Sequence, residues 1–173
     1  AGYCYVGAVR QGDRTLIVAL LACGWPNNKN YKWADTKTLV QYGLDQYGYC
    51  NYWEDAMQDQ DIRILEAGKK RTVKDAPAKD GNLYQDGTVN TFLNIDDQDR
   101  EKRILMKKTE AIQVQIEEKQ EITAPIESGD ILGTVTILLN GETLDEKPIV
   151  SGESIQKKNL LWIYRQLWKS YAL

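Results

Sequence analysis

Apolar and polar positions divide the chain into three stretches of different rhythm. Tyr3 to Val9 is an apolar, β-prone run, Gly12-Asp13 offers a turn, and Arg14 to Leu21 follows with Leu16 to Leu21 apolar on both faces. Two such runs around so short a turn predict an antiparallel hairpin, and a strand apolar on both faces needs cover on both. Gly24-Trp25-Pro26-Asn27-Asn28 has turn chemistry and predicts a loop. Tyr31 to Tyr47 predicts a helix, with Trp33, Val40, Leu44 and Tyr47 on one face and Gly48 as its stop.

From Asn51 to Val150 the pattern changes to short strands and turns. Strands are predicted at Ile62–Leu65, Lys70–Lys74, Tyr84 with Thr88–Leu93, Arg103–Met106, Ala111–Glu117, Ile131–Leu139 and Pro148–Val150. The clearest is Ala111–Glu117, where Ile112, Val114 and Ile116 alternate with Gln113, Gln115 and Glu117. Asn140-Gly141 is a strong hairpin turn, and Asp75–Asn82 and Asp96–Asp99 read as polar loops. The sum is a small all-β domain, a sandwich or flattened barrel. Ser154 to Leu173 predicts a helix, with Leu160, Leu161, Tyr164, Leu167, Trp168 and Tyr171 on one face.

The predicted fold class is therefore α+β. Residues 1–50 form the C-terminal piece of an α/β domain, 51–152 a β-rich domain and 153–173 an amphipathic helix. Two strands and one helix cannot bury the apolar surface of residues 1–50, so this piece is read as the tail of a larger domain already under way at Ala1.

Composition narrows the chemistry. The net charge of −3 gives no basic surface for nucleic acid, and no apolar run approaches the roughly 20 residues that span a bilayer. The chain has no histidine, which removes His-based acid–base catalysis and most zinc sites. No metal or cofactor is expected. Cys4, Cys23 and Cys50 read as small buried hydrophobes, with a Cys4–Cys23 bridge as the alternative in an oxidising envelope. Asp96-Asp97 and Glu117-Glu118 read as solvated carboxylates, and Lys69, Lys70, Arg71, Arg100, Lys102, Arg103, Lys107 and Lys108 as strand exteriors.

One literal motif carries chemistry. Ser154-Ile155-Gln156-Lys157 matches S-x-x-K, in which a helix-initiating Ser gives its proton to a Lys one turn later. The S-x-N and K-T-G partners are missing from the sequence, so Ser154 is read as a helix cap. The tail has two readings: it packs on the β-domain, or it lies on a membrane. Trp and Tyr favour the headgroup zone, and Lys157, Lys158, Arg165 and Lys169, with no acid after Glu153, add attraction to anionic lipid. Leu160, Leu161, Trp162, Tyr164, Leu167, Trp168 and Tyr171 would supply the apolar contact.

Two segments resemble one family. Ala1-Gly2-Tyr3, the run Leu16 to Cys23, and Asp35, Leu39, Tyr42 and Gly43 in D-x-x-x-L-x-x-Y-G spacing resemble the end of the catalytic domain of low-molecular-mass penicillin-binding proteins, the D-alanyl-D-alanine carboxypeptidases. Ala124-Pro125-Ile126, Gly129, Gly133 and Pro148-Ile149-Val150 resemble that family's C-terminal β-domain, whereas residues 51–110 match it only in style.

The resemblance implies a parent enzyme that trims the terminal D-Ala from peptidoglycan stem peptides through an acyl-serine intermediate, and that β-lactams acylate. Its nucleophile, lysine and K-T-G strand are expected upstream of Ala1, leaving no catalytic residue and no activity in these 173 residues. It implies a secreted, extracytoplasmic protein, peripheral on the outer face of the cytoplasmic membrane. It places Lys32 near the substrate carboxylate, where relatives more often carry Arg with its planar fork. The alternative is a non-catalytic envelope-binding or adaptor β-module. The uncovered hairpin predicts self-association of the chain in isolation.

Overall fold

The structure is a computed structural model that describes residues 3–24 and 30–171. The predicted loop at 25–29 and the Ala1-Gly2 pair lie outside the described residues. In chain order the elements are β1 (Tyr5–Gln11), β2 (Arg14–Leu20), α1 (Tyr31–Gln46), β3 (Tyr47–Asn51), α2 (Tyr52–Ala56), α3 (Gln60–Ala67) and β4 (Lys69–Pro77). There follow β5 (Asp86–Leu93), α4 (Asp97–Arg100), β6 (Arg103–Lys107), β7 (Ile112–Glu118), β8 (Ile131–Leu139), β9 (Glu142–Ser151) and α5 (Leu160–Tyr171). They form two compact units, one running to Cys50 and taking in Ile104–Glu110, the other comprising the remainder.

In the first unit, β1 and β2 pair antiparallel from Tyr5 opposite Leu20 to Gln11 opposite Arg14. Gly12, with φ of +63°, takes the first turn position, where glycine bears a positive φ without steric cost. Helix α1 packs on the face that carries Leu16, Val18 and Leu20. Gly43 allows the approach, since a Cβ there would lie 3.2 Å from the Leu16 methyl groups. Arg14 then donates to the carbonyls of Leu44 (2.9 Å) and Tyr47 (2.6 Å). It thereby satisfies acceptors at a helix end that has no basic residue of its own. The helix stops at Gln46, and Tyr47 turns directly into β3, so Gly48 is a strand residue and not the predicted stop. Strands β3 and β6 pair as a separate two-stranded ribbon.

The opposite hairpin face stays open. Val6, Ala8, Ile17, Ala19 and Leu21 are all exposed, Ile17 at 74% and Leu21 at 83%. Among the described residues, the demand for cover on both faces is therefore met on one.

The second unit is a five-stranded antiparallel sheet in the order β4-β5-β9-β8-β7. It curls into a half-barrel. Lys74 in β4 exchanges backbone bonds with Ile122 and Ala124 beyond β7, at 2.8 and 2.9 Å, while Lys69 and Arg71 reach Glu118 at the end of β7. Inside lie Val73, Ala76, Val89, Ile122, Ala124, Ile126 and Leu132. Asn140 (φ +54°) and Gly141 (φ +83°) form the predicted two-residue hairpin turn between β8 and β9. β7 keeps its alternation, with Ile112, Val114 and Ile116 half-buried and the intervening residues exposed.

Three helices interrupt the stretch predicted as all strand. The predicted strand Ile62–Leu65 is helical because its burial has a helical period: Ile62 and Leu65 are buried and Ile64 is exposed. Asp59 caps it, accepting from Asp61 N at 2.8 Å. The predicted loop Asp96–Asp99 is largely the single-turn helix α4, capped by Asp96. The predicted loop from Asp75 begins late, because β4 continues to Pro77 through a bulge at which Asp75 takes a φ of +60°.

The predicted helix from Ser154 begins only at Leu160. Residues 154–159 instead form an extended strap, with Ile155 and Ile126 exchanging backbone bonds at 2.8 and 2.9 Å. Lys158 N donates to Asp75 O at 2.7 Å. The helix waits for Asn159, whose Oδ1 accepts from Trp162 N.

Ile62→Ala is expected to cost about 2–5 kcal/mol in urea unfolding, whereas Ile64→Ala should fall within about 0.5 kcal/mol of the parent. Equal losses at the two positions would restore the strand reading.

Candidate functional site

The residues with the most chemical individuality gather on α5 and its attachment. Leu160, Leu161, Tyr164, Leu167, Trp168 and Tyr171 form an exposed row along the outer face. Trp162, Ile163 and Gln166 are half-buried on the other side, so Trp162 does not share the row with Trp168. The rings of Tyr164 and Trp168 stack at 6.4 Å, and with Arg165 and Lys169 they line a shallow, mostly apolar hollow of about 310 Å³. Lys157 pairs with Asp75 at 3.1 Å, and Lys158 Nζ donates to Gln85 O and Asp86 Oδ1 at 2.9 and 3.0 Å. Two of the four tail cations thus fasten the strap to β4 and β5, leaving Arg165 and Lys169 on the helix.

The S-x-x-K tetrapeptide sits on the extended strap. Ser154 Oγ accepts from Ser128 N at 2.9 Å, and Lys157 turns to Asp75. Ser154 caps no helix, and the one-turn geometry that would let Lys157 take its proton is missing.

Lys32 lies in the first turn of α1, its Nζ 4.9 Å from the Trp33 ring centroid and 5.5 Å from that of Tyr5. Such cation–π contacts hold the ammonium beside the hairpin. Cys4 is exposed, Cys23 and Cys50 are half-buried, and no disulfide joins any two of them. Cys23 N donates to Tyr3 O, which sets Cys23 against Tyr3 and not against Cys4; neither the bridge nor the buried-hydrophobe reading holds.

The carboxylates are structural partners. Asp99 sits between Lys102 (2.5 Å) and Lys147, while Asp145 Oδ2 accepts from Trp53 Nε1 (3.0 Å) and Tyr52 Oη (3.1 Å). This clamp joins α2 and α4 to β9. Hydrogen bonds from Lys102 and Lys147 hold the Asp99 carboxyl at about 2. Burial opposes ionisation of Asp145, but bonds from Trp53 Nε1 and Glu146 N and the Lys147 charge outweigh it and keep it below its ordinary value. Burial, then the charge of Asp145, push the Tyr52 phenol up to about 12. Glu118 is likewise held low: burial works against its charge, and Lys69 and Arg71 overcome this. Arg100 pairs with Glu66 at 2.6 Å. Among the described residues no group of three or more Asp, Glu or Cys is placed to hold a metal ion.

Residues 98–157, from α4 through β9 to the strap, match the family described as "Penicillin-binding protein 5, C-terminal domain". The expected likeness to the C-terminal portion of a D-alanyl-D-alanine carboxypeptidase is borne out. The D-alanyl-D-alanine carboxypeptidase DacF of Bacillus subtilis is 23% identical over 161 residues, covering 93% of this chain and 36% of its own length. The D-alanyl-D-alanine carboxypeptidase DacD of Francisella tularensis aligns with a TM-score of 0.41 at 19% identity, over 91% of this chain and 34% of that one. Penicillin binding protein 5 of Haemophilus influenzae aligns with a TM-score of 0.35 at 14% identity, over 91% and 40%. The chain therefore spans little more than a third of the curated relative's length. The penicillin-binding-protein-like segment holds Asp99, Asp145, Lys147 and the Asn140-Gly141 turn, and α5 lies beyond it.

Asp99 and Asp145 are held below their unfolded values, so the stability they contribute is present above the ordinary carboxylate range and is lost as pH falls through their folded values. The raised Tyr52 acts in the opposite sense: its contribution is present below the ordinary phenol value of about 10 and is lost as pH rises towards about 12. The denaturation midpoint should fall between about pH 4 and pH 2, and Asp99→Asn should flatten that acid limb. An acid limb unaltered by the substitution would refute the clamp's role.

Proposed function

We propose that this chain is the C-terminal part of a serine-type D-alanyl-D-alanine carboxypeptidase of the cell envelope. The observation that carries this reading is the hairpin: α1 covers one apolar face, while Val6, Ala8, Ile17, Ala19 and Leu21 line the other in the open. Such a face is the natural seat for another layer of the same domain. The likeness to a carboxypeptidase, of whose length this chain spans little more than a third, supports the reading.

On this reading residues 1–50 end the catalytic domain, 51–152 form a spacer and 153–173 associate with the membrane. In the parent, a serine outside these residues attacks the carbonyl of the penultimate D-Ala, D-Ala leaves, and water hydrolyses the acyl-serine. β-Lactams acylate the same serine. Lys32 contributes a cation near the substrate carboxylate. The protein works outside the cytoplasm, peripheral on the membrane's outer face. Among the described residues no helix is long and apolar enough to cross a bilayer, whereas α5, with its outward apolar row and its cations, suits the interface. In isolation, the open hairpin face drives self-association.

A fluorescent penicillin should label the full-length parent and leave this chain unlabelled; a labelled 173-residue chain would overturn the assignment. The chain should co-sediment with phosphatidylglycerol-containing vesicles, less so as salt rises, and Leu161→Ser with Trp168→Ala should abolish this. Binding that survives both substitutions would remove α5 from the interface.

A further inference from the structure

A second exposed aromatic side chain sits on a loop that adjoins α5 and its strap. Tyr84 is 97% exposed, more than any other large hydrophobic side chain among the described residues. Its loop, between β4 and β5, is pinned from within: Gly81 N donates to Ala78 O at 3.0 Å. Asn82 N donates to Asp80 Oδ1, and Tyr84 N to Asn82 Oδ1, each at 2.9 Å. Leu83 beside it is half-buried. The loop therefore holds the Tyr84 ring out in water on a braced turn.

That loop is also fastened to the tail. Lys158 Nζ bonds Gln85 O and Asp86 Oδ1, immediately after Tyr84. Further along the helix, Gln166 on the inner face packs so closely on Gly81 that a Cβ there would lie 2.7 Å from Gln166 Oε1. Gly81 has a φ of +79°, a second reason for glycine at this crossing. Loop and helix are thus held at two separated points.

The local charge suits an anionic surface. Lys157, Lys158, Arg165 and Lys169 follow with no acid after Glu153. Asp75 and Asp86 take Lys157 and Lys158, so the charge the helix offers an anionic surface is that of Arg165 and Lys169, while the Asp80 carboxylate accepts from Asn82 N within its loop.

We infer that Tyr84 is a second contact with an anionic lipid surface, beside the outer row of α5. This rests on the membrane reading of α5. A phenol is suited to the headgroup zone, with the ring among upper acyl carbons and the hydroxyl in water. A helix alone can roll about its axis on a bilayer; a lateral contact on a braced loop fixes the roll and so sets the attitude of the half-barrel.

The test is co-sedimentation of the whole chain with vesicles of phosphatidylethanolamine and phosphatidylglycerol. Tyr84→Ser should weaken partition several-fold and Tyr84→Trp should restore it, with the far-ultraviolet dichroism and thermal midpoint of the parent in both. Tyr84 serves the loop through its backbone N, a bond that both substitutions keep. Wild-type partition in Tyr84→Ser, with partition lost in the Leu161/Trp168 double variant, would refute Tyr84 and leave α5 as the anchor. Failure of the unsubstituted chain to sediment would remove the membrane reading and this inference together. Loss of binding to purified peptidoglycan in Tyr84→Ser, with vesicle binding intact, would overturn the lipid assignment.

Discussion

Two carboxylates between two ammonium groups hold the second unit in one arrangement. Asp99 takes Lys102 and Lys147, while Asp145 takes the indole N–H of a Trp53 that has no solvent exposure. Helix α2 has five residues and α4 has four, too few to persist on their own helical propensity. They exist because a tryptophan and a charge pair tie them to β9. Removing one member leaves its partner charge without compensation in a poorly hydrated place, which costs more than the pair contributes. Trp53 of α2 and Ile62 and Leu65 of α3 are fully buried beside the sheet.

Much of this was legible in the sequence. The hairpin, the alternation of β7 and the Asn140-Gly141 turn have local patterns and turn chemistry that agree with their tertiary places. The helices α2 and α3 were not legible because their signals are caps, at Asn51 and Asp59, in front of segments too short to show a face. Ile62-Arg63-Ile64-Leu65 has the β-branched content of a strand, and only the burial of Ile62 with Leu65 decides otherwise. The late start of α5 had the same cause. Ser154 offers a good cap, but Ile155 gains more by pairing with Ile126, and the cap passes to Asn159. Gly43 entered the sequence reading as part of a motif; its physical role is the space it leaves for Leu16. Neither the fastening of Lys158 nor the exposure of Tyr84 leaves any periodic trace.

The open hairpin face and the outer row of α5 differ in kind. The hairpin face is aliphatic over Val6, Ala8, Ile17, Ala19 and Leu21, with the Arg10–Thr15 pair at its turn end. The outer row of α5 mixes leucine with tyrosine and tryptophan and is flanked by Arg165 and Lys169, the composition of a boundary between oil and water. On the proposed reading the first face meets another layer of protein and the second meets lipid.

The extended strap has a mechanical consequence. Tension on the terminal helix does not reach the sheet through the covalent link to β9 alone. It is also borne by the paired backbone bonds of Ile155 with Ile126 and by the grip of Lys158 on Asp75, at the far edge beside β4. A pull at the tail is therefore shared between the connection that leads into β8 and the edge strand β4.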